Sequence, residues 1–461
     1  MRVSFVINGT RGDVQPATVL ARELARRGHD VRLGVPPNMV PSARAWADGV
    51  VRLAVVPLGQ DTRAHLETVA QVRAQAGRHP LRRLRVLLSL RNAGWDDLVA
   101  DMAVVVDGAD VIVSGLITEQ PALAFAESAG VPLVSIHHAP VRRNRRVGPV
   151  PGRFPGGPRA VRAQWVAYDA AFGLLTRRRE RRLRAGLGST GASGPYAARL
   201  RAAAGLELQA YDPLFGAPHA RSGPHDRLWS DDTAARPRPT VGFLGWPEEH
   251  PVAGSDALAS WLDAGDAPIY VGFGSMPLRG GESTLRVVTE LGRRLGRRVL
   301  VCAGWTELSE EVRSGVESDA VRVETQVDHR TVVGRCAVVV HHGGAGTTAA
   351  VLRAGRPSVI CWYGADQPFW GAELERLGVG VSMPMARAGR DLDVDRLCKA
   401  VAAMLDPAVA DRAARLPTVL VSEDVALADA AHAVESSVTS SCTREPCSRG
   451  PQMHSGTKVD V

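Results

Sequence analysis

The stretch VVVHHGGAGTTAAVLRAG, residues 338–355, carries the most specific pattern in this chain. Its first three residues, all valine, form an apolar run typical of a buried strand, and the alanine- and leucine-containing part that follows is typical of a helix. The turn between them contains three residues without a Cβ atom, Gly343, Gly344 and Gly346. Such a turn presents free backbone N–H groups and the positive end of a helix dipole to an anion, and Thr347 and Thr348 add hydroxyl donors. The stretch predicts a diphosphate site.

His342 stands at the end of the strand, beside this turn. Its imidazole can donate a hydrogen bond or, if protonated, supply a positive charge. Glycine also serves tight packing, so a glycine-rich turn alone leaves a structural interpretation open beside the binding one. The rest of the sequence has to decide between them.

Short β-branched runs alternate with helical stretches almost from end to end. Several runs, such as ADVIVSGL at 109–116 and VPLVSIHH at 131–138, are apolar on both faces, as buried parallel strands must be. The alternation predicts an α/β protein of two doubly wound, Rossmann-like domains that face each other across a cleft. The predicted parts are an N-terminal domain at 1–216, a linker at 217–240, a C-terminal domain at 241–418, a final helix at 419–438 that packs back on the N-terminal domain, and a disordered tail at 439–461.

Ligands of doubly wound sheets bind beyond the carboxyl ends of the strands. Two polar stretches follow strands directly, NGTRGDVQP at 8–16 and HHGGAGTT at 341–348. The first leaves three interpretations of Asp13 open: part of an Arg-Gly-Asp adhesion tripeptide, a cap of the following helix, or a carboxylate in an active-site loop. Because both stretches face the predicted cleft, we expect the chemistry there.

The 461-residue chain carries a net charge of +8, and its positive excess is local. Residues 141–184 contain 13 arginines against Asp169 and Glu180. Phosphates, an acidic lipid surface or solvent alone would each explain this patch. Few aromatic residues interleave the arginines and no nucleic-acid-binding motif is visible, so a nucleic-acid partner is not expected.

No apolar run approaches the roughly 20 residues of a membrane span. Residues 1–8 lack the long apolar region and the cleavage site of a signal peptide. Six cysteines are dispersed along the chain without the spacing of a zinc site or a disulfide framework. We therefore expect a cytoplasmic protein without a bound metal.

Four motifs follow one another along the chain: GTRGDVQP at 9–16, YVGFGSM at 270–276, VVVHHGGAGTTAAVLRAGRPSV at 338–359 and GADQPFWGAELERLGVG at 364–380. Their order and approximate spacing resemble the family 1 glycosyltransferases of the GT-B fold, which use nucleoside-diphosphate sugars. This family includes bacterial antibiotic glycosyltransferases and sterol or glycolipid glycosyltransferases. The resemblance extends to about residue 438. Neither a Walker lysine pattern nor G-x-G-x-x-G after the first strand is present, so P-loop and single-domain dinucleotide folds fit less well.

The resemblance implies that the C-terminal domain binds a nucleotide sugar. The corresponding donor-binding residues are Ser275, His342, Gly344, Gly346, Thr347 and Thr348 at the diphosphate, Gln326 and Val327 at the base, and Asp366 and Gln367 at the sugar hydroxyls. Arg11 and Gly12 complete this set from the first loop, although structural pairing explains Arg11 equally well. Plant relatives have tryptophan where this chain has Glu324, so no residue is assigned to stack on the base, and UDP and dTDP stay open.

The resemblance also implies an inverting, metal-independent transfer of a hexose or deoxyhexose by one in-line displacement. Backbone N–H groups, hydroxyls and His342 then stabilise the departing diphosphate. The acceptor hydroxyl must lose a proton as it attacks the anomeric carbon, and Asp13 is the predicted general base. An adhesion tripeptide would find no partner in such a cleft.

The acceptor is expected on the N-terminal domain, near His137 and His138, with Trp370 as a further contact. Each of the three also has an interpretation as core or pocket wall. The basic, amphipathic segment 81–98 suits a wall for an apolar acceptor, a membrane-surface contact or a buried helix. These features favour a polyketide- or antibiotic-like aglycone.

Three alternatives stay open. The acceptor can be a sterol or glycolipid at a membrane surface. A catalytically inactive relative that binds a nucleotide or a partner would be free to lose Asp13, His342 or the Asp366–Gln367 pair, all of which are present. A nucleotide-sugar 2-epimerase has the same two-domain build but is expected to lack the DQPFWG context at 366–371. The sequence predicts no oligomeric state.

Overall fold

The computed structural model contains two six-stranded parallel sheets, one in each half of the chain. It describes residues 1–75, 94–149, 157–189, 194–215, 236–246, 256–274, 281–306, 308–385 and 392–442. The two doubly wound domains predicted from the alternation of strands and helices are confirmed.

The N-terminal sheet has the strand order β3-β2-β1-β4-β5-β6. Its strands are β1 (Arg2–Val6), β2 (Asp30–Val35), β3 (Leu53–Pro57), β4 (Val111–Ser114), β5 (Leu133–His137) and β6 (Gly205–Gln209). Every residue of β4 and β5 is buried, because helices cover both faces of the sheet. The chain adds strands on one side of β1 and then continues on the other with β4. This reversal places the end of β1 at the point where doubly wound sheets bind ligands.

The helices of this domain include a long, largely exposed one near its end. They are α1 (Arg11–Arg26), α2 (Val40–Trp46), α3 (Thr62–Gln75), α4 (Trp95–Val106), α5 (Glu119–Ala129), α6 (Pro158–Gly186) and α7 (Tyr196–Ala202), with 3₁₀ turns at Pro37–Met39 and Pro213–Phe215. Helix α1 buries Ala17, Leu20, Ala21 and Leu24 at helical spacing, so its apolar face packs on the sheet. That packing fixes where the first turn of α1 begins.

The C-terminal sheet repeats this construction with the order β12-β11-β10-β7-β8-β9. Its strands are β7 (Ile269–Gly272), β8 (Val299–Cys302), β9 (Val321–Glu324), β10 (Val338–His341), β11 (Ser358–Trp362) and β12 (Gly380–Pro384). Its helices are α8 (Asp256–Asp263), α9 (Gly281–Leu295), α10 (Glu310–Ser314), α11 (His329–Val332), α12 (Ala345–Arg353), α13 (Gln367–Leu377), α14 (Val394–Met404) and α15 (Pro407–Ala414), with 3₁₀ turns at Val333–Arg335 and Leu416–Thr418. The reversal of strand order falls between β7 and β10, where the glycine-rich turn lies.

The last helix, α16 (Glu423–Cys442), returns to the N-terminal domain. Its Ala426, Ala430 and Val434 belong to the same core as α1, and Glu435 contacts His29 at 2.9 Å. The helix continues four residues beyond the predicted end at 438. The predicted linker lies mostly outside the described residues, as does the predicted tail from residue 443 onward.

Candidate active site

Asp13 lies in the first turn of α1, at the third helical position. The backbone N–H of Thr10 donates to Asp13 Oδ2 at 2.9 Å, while the Thr10 hydroxyl accepts from the first turn. This reciprocal arrangement is a capping box, which satisfies backbone donors that a helix start leaves free. Gly9 has φ 152°, and a Cβ there would collide with the Asp13 carboxylate. Glycine at position 9 therefore lets the carboxylate fold back onto the loop.

The Asp13 side chain is partly exposed, and it is close enough to Asp366 of the other domain for the two charges to interact. Burial raises its pKa to about 6, and the negative charge of Asp366 on the facing domain adds to the rise. The hydrogen bond from Thr10 opposes this increase. A carboxylate with this pKa is ionised at neutral pH and is a stronger base than an ordinary aspartate, which suits proton abstraction.

Arg11 points from the same turn toward the C-terminal domain. Its Nε donates to Gln15 Oε1 at 2.9 Å, and its guanidinium lies 5.5 Å from the ring centre of Trp46. Burial lowers its pKa, whereas Asp328 of the second domain favours its charge. Gly12 is exposed, and its N–H contacts the Thr10 hydroxyl at 3.4 Å. The loop thus presents a held cation beside Asp13.

The glycine-rich turn after β10 has the geometry expected of an anion site. Helix α12 begins at Ala345, with Gly344 as its N-cap and without a side chain that caps it. The N–H groups of Ala345, Gly346 and Thr347 lie in the first turn, where a helix offers them no acceptor. Gly346 is exposed, and a Cβ there would meet open space. The positive end of α12 is therefore open toward the cleft.

His342 packs against this turn. A Cβ at Gly344 would collide with His342 Nε2, and a Cβ at Gly274 would lie 3.1 Å from its Cε1. Burial lowers the pKa of His342 to about 4, so the imidazole is neutral at neutral pH. Its Nδ1 is buried without a hydrogen-bond partner in the described part of the chain. Of the two functions that the sequence left open, the structure favours a neutral hydrogen-bonding group.

The two threonines of the turn differ. Thr347 is partly exposed, whereas Thr348 is fully buried and its hydroxyl donates to the Gly344 carbonyl at 3.0 Å. The prediction that the Thr348 hydroxyl donates to a diphosphate is therefore corrected, because that donor already binds the backbone.

Asp366 and Gln367 lie at the start of α13, after β11. Asp366 is partly exposed, and burial raises its pKa. Gln367 is buried, and its Oε1 accepts from the backbone N–H groups of Tyr363 at 2.7 Å and Gly364 at 3.3 Å. Trp370 has no exposed surface, and its Nε1 donates to Asp366 Oδ2 at 2.9 Å. The prediction that Trp370 contacts the acceptor is corrected: it is a core residue that holds Asp366.

Backbone hydrogen bonds connect the loops after β7, β8 and β9 at the edge of the cleft. Trp305 N–H donates to the Gly274 carbonyl at 3.3 Å, and Gly304 N–H donates to the Thr325 carbonyl at 3.0 Å. Gln326 is exposed beside them and Val327 is buried. Glu324 accepts from Arg322 at 2.9 Å on its own strand. Ser275 lies outside the described residues.

His137 does not line the cleft. It is 1% exposed, and Arg142, Glu119 and Gln209 surround its two ring nitrogens at 3.1–3.4 Å. Burial and the charge of Arg142 lower its pKa. The predicted acceptor contact is therefore corrected to a position inside a buried polar network. His138 is partly exposed, and burial lowers its pKa to about 4.

Two exposed apolar residues at the end of β4 were missed by sequence reasoning. Leu116 and Ile117 follow β4, which pairs with β1, and they are 48% and 59% exposed. In the sequence they extend the apolar run of β4 and resemble the end of a buried strand. The nearby Thr118 hydroxyl donates to the Val6 carbonyl at 2.5 Å, which ties their loop to the end of β1. They form an apolar rim at the carboxyl end of β4, next to the end of β1 from which the Asp13 loop continues.

The arginine-rich region contains both paired and unpaired side chains. Arg142, Arg143 and Arg146 pair with Glu207, Asp169 and Glu373 at 2.9 Å in each case. Four others, Arg177, Arg178, Arg181 and Arg182, are exposed on α6 and have no partner within the described residues. Most of the predicted amphipathic segment 81–98 lies outside those residues. No described helix is long and apolar enough to cross a membrane.

Comparisons with known proteins agree with this geometry. Residues 3–48 match the glycosyltransferase family 28 N-terminal domain, and residues 306–433 match the erythromycin biosynthesis protein CIII-like C-terminal domain. An uncharacterized glycosyltransferase of Mycobacterium tuberculosis is 36% identical over 81% of this chain and 84% of its own length. The vancomycin aglycone glucosyltransferase of Amycolatopsis orientalis is 30% identical over 93% of this chain and 96% of its own length.

The solved structure of the glycosyltransferase VinC in complex with dTDP shares the fold. Its TM-score is 0.60 at 16% identity, and the match covers 95% of this chain and 100% of that chain. The family models and the relatives identify the chain as an enzyme that transfers glycosyl groups. The chain belongs to the family 1 glycosyltransferases of the GT-B fold.

Proposed function

We propose that the protein transfers a sugar from UDP or dTDP to a hydroxyl of an apolar small molecule, with inversion at the anomeric carbon. The position of Asp13 carries the proposal. It lies at the strand-order reversal of one sheet, close enough to Asp366 of the other domain for the two charges to interact. This arrangement supports an acceptor hydroxyl that lies between a base on one side of the cleft and a sugar-binding carboxylate on the other.

The donor's diphosphate is assigned to the open start of α12. The N–H groups of Ala345, Gly346 and Thr347 face the oxygens that gain charge as the bond to the sugar breaks, and neutral His342 donates a hydrogen bond. This assignment needs no divalent metal. Asp366 and the Gln367 amide nitrogen bind sugar hydroxyls. The dTDP complex of VinC supports a nucleoside diphosphate of this kind.

In the chemical step the acceptor hydroxyl gives its proton to Asp13 as its oxygen attacks the anomeric carbon. The bond between that carbon and the diphosphate oxygen breaks on the opposite side, and the nucleoside diphosphate leaves with the electron pair. Asp13 then holds the proton until product release. An attack from the side opposite the leaving group inverts the configuration.

The acceptor class is proposed from the apolar rim of Leu116 and Ile117. Exposed aliphatic side chains at the carboxyl end of the strand next to β1 favour an aglycone with apolar rings or chains over a second sugar. A relative of 30% identity is named for the vancomycin aglycone, and one of the matching domain models is named for erythromycin biosynthesis. Both names support an acceptor of the antibiotic type.

A lipid acceptor at a membrane surface is the second candidate, and the surface of α6 favours it. Four exposed residues follow one another at helical spacing, Ala163, Ala167, Ala170 and Leu174. The four unpaired arginines continue the same exposed side. Helices with adjoining apolar and basic surface bind anionic bilayers. A relative of 27% identity is a sterol 3-beta-glucosyltransferase of Arabidopsis thaliana.

Product analysis tests the first proposal. The purified chain is incubated with UDP- and dTDP-glucose and a panel of polyketide and macrolide aglycones, with and without EDTA. We expect an acceptor-dependent glycoside of inverted configuration that EDTA does not suppress. Nucleotide release without a glycoside would contradict transfer, and binding of a nucleotide without turnover would indicate an inactive relative.

Sedimentation with vesicles tests the second candidate, a lipid acceptor at a membrane surface. Binding to phosphatidylcholine vesicles containing phosphatidylglycerol, lost when Arg177, Arg178, Arg181 and Arg182 are replaced by Gln, would support the lipid acceptor. The matched control removes the same charge from the surface of the other domain, at Arg286, Arg293, Arg294 and Arg297. Equal loss in both variants, or no vesicle binding at all, would contradict it.

A further inference from the structure

Trp370 lies where the two halves of the chain join. Its ring centre is 6.3 Å from Tyr211 and 5.2 Å from Phe215, both at the end of the N-terminal domain. Phe243, from the segment that enters the second domain, lies 5.6 Å away. All four rings are buried. The indole is therefore part of an aromatic core shared by the two domains.

The same side chain reaches the donor site through its N–H group. Asp366 is the N-cap of α13, but its carboxylate does not cap the helix. An aspartate at this position usually accepts from the helix backbone. Here Oδ2 accepts from Trp370 Nε1 at 2.9 Å instead. The indole thus sets the direction of the carboxylate and leaves Oδ1 for a ligand.

The loop that leads to Asp366 is strained. Ala365 has φ 55° and is the one non-glycine residue with positive φ in the described part of the chain. This conformation is disfavoured for a residue with a side chain, so the surroundings must hold it. Gln367 does so from one side, through its bonds to Tyr363 and Gly364. Trp370 holds the other end of the loop.

We propose that Trp370 is a positioning residue for the donor sugar, because it orients the Asp366 carboxylate and connects it to the packing between the domains. This inference rests on the proposed function of Asp366 in binding sugar hydroxyls. A shift of the aromatic core moves the indole, and the carboxylate moves with it. Discrimination between sugars that differ at one hydroxyl then depends on a buried residue that touches no sugar.

The test uses Trp370→Phe, which keeps an apolar ring and removes the N–H donor. The readout is the ratio of kcat/KM for UDP-glucose and UDP-galactose, or for the corresponding dTDP-sugars, together with Tm. We expect the ratio to fall at least fivefold toward one. Phe215→Leu loosens the packing on the indole but keeps its N–H bond to Asp366, so we expect it to lower Tm and to change the ratio less than Trp370→Phe does. An equal change in both variants would mean that packing alone, and not the N–H donor, sets the ratio.

Two further variants separate the possible failures. Ala365→Gly removes the strain without disturbing the core, and we expect it to keep Tm and weaken sugar discrimination. Asp366→Asn tests the underlying assignment. If Asp366→Asn changes the ratio but neither Trp370→Phe nor Ala365→Gly does, the positioning role is wrong and the proposed function stands. If Asp366→Asn leaves the ratio unchanged, the assignment of Asp366 to the sugar fails, and the positioning role fails with it.

Discussion

The backbone N–H of Thr10 donates to the carboxylate of Asp13 at 2.9 Å, so the proposed general base also caps helix α1. The two functions use different parts of the same group. Oδ2 faces the loop backbone, and Oδ1 remains for the acceptor proton. Because the cap fixes the side chain, the base is held in place before any ligand binds.

Asp13→Asn and Asp13→Ala separate these functions. Asparagine keeps an oxygen that accepts from Thr10 but cannot take a proton, so we expect kcat to fall by about 10²- to 10⁴-fold with the cap intact. Alanine loses both, and its free energy of unfolding should be about 1 kcal/mol below that of the asparagine variant. Steady-state kinetics and urea denaturation measure the two effects. Full activity in Asp13→Asn would refute the base assignment.

The pH dependence of transfer should follow the pKa of Asp13. We expect kcat/KM to rise with pH through about 6 and then to level off, because only the ionised carboxylate accepts a proton. Asp366→Asn removes a neighbouring negative charge, so the pKa of Asp13 falls and the midpoint moves to lower pH. Rate profiles of both proteins from pH 4.5 to about 8 measure this. An unchanged midpoint would mean that the two carboxylates do not interact.

The free energy of unfolding should depend on the same pKa of Asp13. Unlike the transfer rate, it should fall as the pH rises. Folding raises the pKa of Asp13 from 3.8 to about 6, so the folded state binds this proton more tightly than the unfolded chain. The resulting stabilisation is fully present below about pH 4 and is lost as the pH rises through about 6. Asparagine has no proton to lose. We therefore expect the free energy of unfolding of Asp13→Asn to rise relative to that of the native protein between about pH 4 and about 6. Above that range the difference should stay constant. Urea denaturation at several pH values measures it, and a pH-independent difference would contradict it.

Gly344→Ala and Gly346→Ala should differ in stability. A Cβ at position 344 meets the His342 ring, whereas one at 346 meets open space. We expect Gly344→Ala to lower Tm and displace the imidazole, and Gly346→Ala to leave Tm unchanged. Both should raise the KM for the donor if the diphosphate lies on the turn. Thermal denaturation and donor kinetics test this, and equal Tm values for the two variants would be the contrary result.

His137→Gln and Ile117→Ala should affect different quantities. His137 is enclosed by charged partners, so its replacement leaves buried polar groups unpaired and should cost about 1–3 kcal/mol of stability. Ile117 is exposed on the apolar rim, and we expect its truncation to raise the acceptor KM with little change in Tm. If His137→Gln changed the acceptor KM and Ile117→Ala did not, the prediction would be wrong, and His137 would belong to the acceptor site.

Local patterns in the sequence predicted those features of the fold and the site that depend only on neighbouring residues. The alternation of strands and helices, the glycine-rich turn and the Asp13 loop each need only a few adjacent positions. Burial at the ends of elements depends on distant chain segments. Trp370 follows Asp366 by one helical turn whether it contacts an acceptor or lies in the core. It lies in the core because it packs against the aromatic rings of Tyr211 and Phe243, which are distant in the sequence. His137 is likewise enclosed by Arg142 and Glu207, which approach through tertiary packing.

The return of α16 to the N-terminal domain has a practical consequence for engineering. Residues 423–442 complete the core beside α1, so a fragment that stops at the linker would expose an apolar groove. A chimera that takes its whole C-terminal half from a relative would also pack a foreign α16 against α1, the helix that carries Asp13. Exchanges intended to alter donor use should therefore end before residue 419, and keep the native α16 with its own first helix.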